Sequence, residues 1–208
     1  MSRYINNTNI LLKGDNLMNQ KNCKNIHESL SKTVNIPIEL YESTLGQYFI
    51  GYADNLVFGK DTSAWAKLYN PINSGVILHV NVWTVTDVSE SAFRAQFWFN
   101  ATPPDSDVKY ALVTPTNLSI KPQPTANVKL EYASTVTGEP TGGIKAFVRR
   151  AQPETTLVES DNGKIIIGEG GNFLIFLSNP ETPELLTAGR IAFGWWEESI
   201  SNKCNCYD

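Results

Sequence analysis

Cysteine is nearly absent from this chain, and its absence is uneven. Only three of the 208 residues are cysteines, and none falls between positions 24 and 203. Cys23 lies in a polar stretch near one end, and Cys204 and Cys206 lie within five positions of the other. A body without thiols has no internal disulfide framework, and an odd count leaves at least one thiol without a partner in its own chain. The spacing of Cys204 and Cys206 is too tight for an easy bridge between them. One distant cysteine and a remote histidine also lack the paired spacing of a zinc site, so no metal is expected.

Charge is scarce as well. Charged residues make up 18%, and the formal net charge is −4 with a pI near 5.3. That is below the usual quarter, and no Lys/Arg run tracks a phosphate backbone, so nucleic acid is excluded as a partner. No run of 18 apolar residues occurs, which excludes a membrane-spanning helix. The first twenty residues, MSRYINNTNILLKGDNLMNQ, hold no continuous apolar core and no small-residue cleavage site, so no secretory signal is expected. The sequons at Asn6, Asn100 and Asn117 then carry no meaning. The protein is expected either to remain in the cytoplasm or to reach a surface by lysis or a dedicated route.

Catalytic groups are few. There are two histidines, His27 near the N-terminus and His79 between Leu78 and Val80. The second reads as a structural or surface residue. No nucleophile elbow, zinc-protease helix, dinucleotide fingerprint or phosphate-cradling loop is present. The glycine-rich GEGGN at 168–172 opens no helix and reads as a hairpin turn. Glu197 and Glu198 are adjacent, so on a strand they face opposite ways and cannot flank one glycosidic bond. Asp105 and Asp107 could share a calcium but read as solvated loop residues. Neither an enzyme nor a cofactor is expected.

What is present is alternation. GVILHVNVWTVTDV places Val76, Leu78, Val80 and Val82 on one face, with Ile77, His79, Asn81 and Trp83 on the other. In SAFRAQFWFN, Phe93, Ala95, Phe97 and Phe99 share a face. NVKLEYAS, GGIKAFVRRA, TTLVESD, GKIIIG, NFLIFLS and GRIAFGWWEES continue the series, separated by NPINSG, ATPPDSD, TGEPTGG, SDNG, GEGGN and SNPETPE. Period-two runs rich in β-branched and aromatic residues, bounded by Gly, Pro, Asn and Asp, predict strands and turns. Nine or ten strands without an amphipathic helix predict an all-β, antiparallel, jelly-roll-like β-sandwich. Its core is expected to hold Val76, Leu78, Val80, Val82, Phe93, Phe97, Phe99, Leu174 and Phe176.

Residues 1–35 differ. They contain eight asparagines and no sustained period, which predicts a flexible polar arm with a short helix at most around 26–32. The domain plan is an arm at 1–35, a sandwich at 36–201 and a cysteine-bearing tail at 202–208. Extended, the arm would reach about 115 Å, against a body about 40 Å across. It is long enough to meet a second copy, to which Cys23 could bond through that copy's Cys204 or Cys206. The competing reading is three free thiols. Trp65, Trp83, Trp98 and Trp196 are candidate interface anchors or, alternatively, platforms for stacking a sugar ring.

Two short motifs add a resemblance. Asn70-Pro71-Ile72-Asn73-Ser74-Gly75 leads into the long apolar strand, and Phe193-Gly194-Trp195-Trp196-Glu197 lies near the C-terminus. Together with the cysteine-bearing arm, this plan resembles the self-assembling subunits of endospore appendages, and an uncharacterised clostridial family with the same turn and Trp-rich strand. The resemblance implies a structural subunit of a cell- or spore-surface fibre. Its partner would be itself, with other spore-surface proteins as further neighbours, and Cys23 would be the connector thiol, with Cys204 and Cys206 as acceptors. The alternatives are a carbohydrate-binding jelly-roll module or a phage virion accessory protein.

Overall fold

A computed structural model describes residues 34–104 and 106–200. The chain divides into two units, Met1–Asn35 and Ile36–Asp208, and the fold below is that of the second. Its elements are α1 (Ile38–Thr44), β1 (Tyr48–Phe58), β2 (Ser63–Tyr69), β3 (Val76–Asp87), β4 (Phe93–Phe99), β5 (Lys109–Tyr110), β6 (Val113–Pro115), β7 (Lys129–Val136), β8 (Ile144–Ala151), β9 (Thr156–Ile167), β10 (Asn172–Ser178) and β11 (Thr187–Ser199). The expected short helix at 26–32 lies outside the described residues. The expected all-β sandwich is what forms.

Two antiparallel sheets make the sandwich, with strand orders β6-β1-β11-β3-β9 and β5-β7-β2-β10-β4-β8. The long pairings are nested. β1 pairs with β11, β2 with β10, β3 with β9 and β4 with β8. The chain is thus one long hairpin rolled so that successive strands fall in alternate sheets, which is jelly-roll topology. At the tip of that hairpin, between β4 and β8, an insertion carries β5, β6 and β7. It adds β7 beside β2 and β6 beside β1, so the Lys109–Pro115 segment crosses from one sheet to the other and closes that flank. On the opposite flank β8 and β9 are the edges. Among the described residues no strand pairs with the outer side of either.

The expected alternation of β3 breaks at Asn81. Val80 and Val82 face the adjacent residues Trp195 and Gly194 on β11, so Asn81 is an extra residue on that side, whereas against β9 they face Ile165 and Ser160 and the surplus lies on β9, at 161–164. Such a bulge reverses which side chains point inward. Val76, Leu78 and Val80 face the core; beyond the bulge Trp83 and Val85 do, and Val82 turns to the outer face. The assignment of Val82 to the core and of Trp83 to the opposite face is therefore corrected. The same register step absorbs SDNG, expected as a turn between two strands. Its residues form a loop-out within the single strand β9, both halves of which pair with β3.

The main core fills the space between the sheets. Trp83 and Phe97 have ring centroids 4.3 Å apart, and Phe97 stacks on Phe147 at 4.4 Å. Phe93, Phe97, Phe173, Ile175 and Leu177 belong to it, and Phe99 packs against it half-buried. Leu174 and Phe176, expected in this core, are fully buried on the other face of β10. There they form a second cluster with Trp65, Ala133, Ala101 and Val136. Ala101 and Val136 stand at the two roots of the insertion, and reciprocal backbone hydrogen bonds between Thr102 and Thr141 tie those roots together at 2.9 Å.

Loop polarity is consumed locally. The Asn70 amide is fully buried and donates to the carbonyls of Val76 at 2.9 Å and Ile167 at 3.2 Å, while its oxygen accepts from the Ser74 hydroxyl at 2.6 Å. The Gly170 N–H donates to the Asn70 carbonyl at 2.7 Å, and the Gly75 N–H to the Glu169 carboxylate at 2.7 Å. NPINSG and GEGGN are thus two halves of one knot joining the β2–β3 and β9–β10 loops.

Phe97→Ala is expected to cost about 3–5 kcal/mol, the range for aromatic truncation in a packed core. Val82→Ala, at a half-exposed site, should cost no more than about 1 kcal/mol. Urea unfolding of both variants checks the reversal at Asn81; equal losses would contradict it.

Candidate functional site

Three features of the body carry chemistry. The first lies at the end where β1 begins and β11 stops. Tyr48 opposes Trp196, so the first and last long strands lie side by side there, with α1 packed against both. Trp195 and Trp196 point opposite ways, the first into the core and the second onto the outer face of the five-stranded sheet. Trp196 stacks on His79, with centroids 5.0 Å apart and planes 7° apart. His79 Nε2 lies 2.9 Å from Glu198 Oε2. The chain leaves room for the indole with Gly163, at φ +70°, where a Cβ would run into the ring.

Glu42 of α1 is buried beside this pair, and its Oε2 has no hydrogen-bond partner among the described residues. Burial pushes its carboxyl above the ordinary range; the His79 charge opposes this and Glu198 adds to it. Next to it, the Asn81 amide donates to the Tyr48 hydroxyl at 2.7 Å, and burial raises the phenol. Glu197 faces the other way. Its carboxylate accepts from Asn127 N at 2.9 Å, Asn127 Nδ2 at 3.0 Å, Val128 N at 3.0 Å and Trp195 Nε1 at 3.3 Å. It clamps β11 to the loop before β7.

The second feature is a groove of about 830 Å³ on the outer face of the five-stranded sheet. Val82, Thr84, Ala192 and Gly194 line it from β3 and β11, and Ile50 and Tyr52 from β1; Tyr110 and Leu112 of the crossing segment also contribute. Tyr52 is 64% exposed and Tyr110 65% exposed, so both rings offer a face. Asp54 and Asn55 stand at one end, and Asp54 Oδ1 accepts from Arg190 Nε at 2.7 Å. The third feature is the open flank of β8 and β9.

Three of the four aromatic candidates named from sequence are buried rings. Trp65 is fully buried in the second cluster, with Lys67 Nζ 5.5 Å from its ring. Trp83 is in the main core and its Nε1 donates to Asp161 Oδ2 at 3.0 Å. Trp196 lies under the β9 loop-out, and only Trp98 is half-exposed, with Lys145 Nζ 4.7 Å above it. A sugar platform built on Trp65, Trp83 or Trp196 is therefore excluded by burial. The groove's tyrosines escaped sequence reading because Tyr52 and Tyr110 come together only across the insertion. Glu42, His79 and Glu198 likewise come from three separate elements. Cys23, Cys204, Cys206, His27 and Asp105 lie outside the described residues, and Asp107 is exposed. Among the described residues no group of three or more His, Cys, Asp or Glu is disposed to hold a metal.

The class is thus an antiparallel jelly-roll sandwich with a flank-closing insertion. Residues 17–203 match a family of unknown function, DUF6143, and the chain belongs to that family. The matched span takes in Cys23 and stops one residue short of Cys204. No curated protein and no solved structure matches the chain.

The raised Glu42 carboxyl sets a sign for pH dependence. The folded chain holds this proton more tightly than the unfolded chain, so the associated stability is present in acid and lost as pH rises through the folded pKa. Glu42→Gln should therefore gain on the wild type as pH is raised from about 4 to about 8, the span in which carboxyl and imidazole groups titrate. Urea unfolding at a series of pH values measures the difference; parallel curves would contradict it.

Proposed function

We propose that this chain is a structural, self-assembling subunit of an extracellular or spore-surface fibre. Copies are joined head to tail by the N-terminal arm and by disulfides from Cys23 of one copy to Cys204 or Cys206 of the next. The observation that carries the reading is the confinement of all three thiols to the segments that flank a thiol-free body. A bond between such segments adds little to the stability of one sandwich but makes a contact between two sandwiches covalent. Head-to-tail contacts that do not close produce filaments, and a structural disulfide persists in an oxidising exterior.

The test is a non-reducing gel of oxidised assemblies. The expected result is a ladder that collapses to the 23.1 kDa chain in reductant and is absent in Cys23→Ser, whose circular dichroism stays that of the wild type. A single non-reduced band at monomer mass, whether from free thiols or from a bridge within one chain, would overturn the reading.

A second reading, a carbohydrate-binding module, is favoured by one observation: two exposed tyrosine rings beside Asp54, Asn55 and Thr84 in one groove. An exposed tyrosine ring presents a flat apolar face with a polar tip, which suits the C–H face and hydroxyl rim of a sugar. On this reading Tyr52→Ala should weaken retention on a polysaccharide column by about tenfold per 1.4 kcal/mol lost. Unchanged retention of the variant, or none by the wild type, would dismiss it.

A further inference from the structure

The two flanks of the sandwich are unequal, and the inequality limits how copies can meet through their strands. One flank is closed by the Lys109–Pro115 crossing. The other presents β8 and β9, each paired on one side only among the described residues. Proteins usually blunt such edges, because an unpaired row of N–H and C=O groups templates another strand. Here both edges carry charge, and of opposite sign. β8 holds Lys145, Arg149 and Arg150 within eight residues; the stretch of β9 before its loop-out holds Glu159 and no cation. Arg150 is engaged by Glu181 at 2.7 Å. Neither Arg149 nor Glu159 has an ion-pair partner among the described residues, and both are exposed. Between the edges lies an apolar strip in which Phe147, Leu157 and Ile165 are only partly buried.

From these observations we propose that the chain forms a closed two-fold dimer through this flank, with β8 of each copy added to β9 of the other. β8 runs into the turn at 152–155 and β9 runs out of it, so the two strands point in opposite directions. A two-fold axis parallel to the strands preserves those directions and exchanges the layers. It sets β8 of one copy antiparallel to β9 of its partner, twice. Phe147–Ala151 and Thr156–Ser160 flank the same turn, so these segments meet and Arg149 comes level with the acidic stretch around Glu159. The other two-fold arrangement would set β8 against β8 and oppose six cations, which like-charge pairing disfavours. Since the second flank is capped, each copy has one such edge pair to offer, and addition stops at two copies. This dimer needs no disulfide and does not rest on the fibre reading.

The experiment uses the full chain in strong reductant, so that stapling cannot contribute. Sedimentation equilibrium below about 0.1 M salt, where charges are felt over about 10 Å or more, is expected to give twice the 23.1 kDa chain mass. Arg149→Glu and Glu159→Arg should each shift the protein to monomer, and the double exchange should restore the dimer. Hydrogen exchange should show the amides of residues 147–151 and 156–160 better protected in wild type than in Arg149→Glu. A monomeric wild type, single variants that remain dimeric, a double exchange that stays monomeric, or reductant-resistant species larger than two would each overturn the proposal. Both residues are exposed, so circular dichroism of every variant should match the wild type.

Discussion

The pairing of β11 with both β1 and β3 is the constraint on which the rest of the molecule depends. It sets Tyr48 opposite Trp196 and His79 opposite the same tryptophan, joining residues from the two ends of the body. Without it the outer and inner faces of the five-stranded sheet have no fixed assignment, because each strand takes its register from its neighbour. Contacts of such sequence separation pay loop-closure entropy before they are rewarded, so slow, cooperative folding is the expected behaviour.

The bulge at Asn81 lies within that pairing, and much local structure follows from it. One extra residue on β3 turns Trp83 into the core and Val82 out of it. Opposite it β9 loops out at 161–164, which roofs Trp196 and supplies Asp161 to the Trp83 indole. A buried tryptophan N–H usually finds an acceptor, and for Trp83 it is Asp161, its carboxyl raised by burial. The same economy governs the loops. Asn70 and Asn179 satisfy carbonyls, hydroxyls and amides that turns would otherwise leave buried and unpaired.

The insertion between β4 and β8 has consequences beyond its own residues. By crossing from sheet to sheet it covers one flank, roofs the second apolar cluster at its roots and raises one wall of the groove. It makes the sandwich asymmetric, with one flank sealed and one with open, charged edges. The open edges belong to β8 and β9, whereas Cys23, Cys204 and Cys206 fall outside the described residues.

Much of this was legible in the sequence. Period-two runs between Gly, Pro and Asn turns determined an antiparallel sandwich, and the alternation of Phe93, Ala95, Phe97 and Phe99 determined which face of β4 is buried, because each depends on neighbours along the chain. The thiol-free body could likewise be read by position alone. Sequence could not show that Asn81 is an extra residue, since a bulge exists only relative to a partner strand. It could not show that Leu174 and Phe176 are buried away from the main core, because both faces of β10 are apolar and what covers them comes from the insertion. Nor could it join Glu42 to His79 and Glu198, or Tyr52 to Tyr110. Those meetings are made by strand order, and strand order is settled by long-range hydrogen bonding and burial that no local pattern encodes.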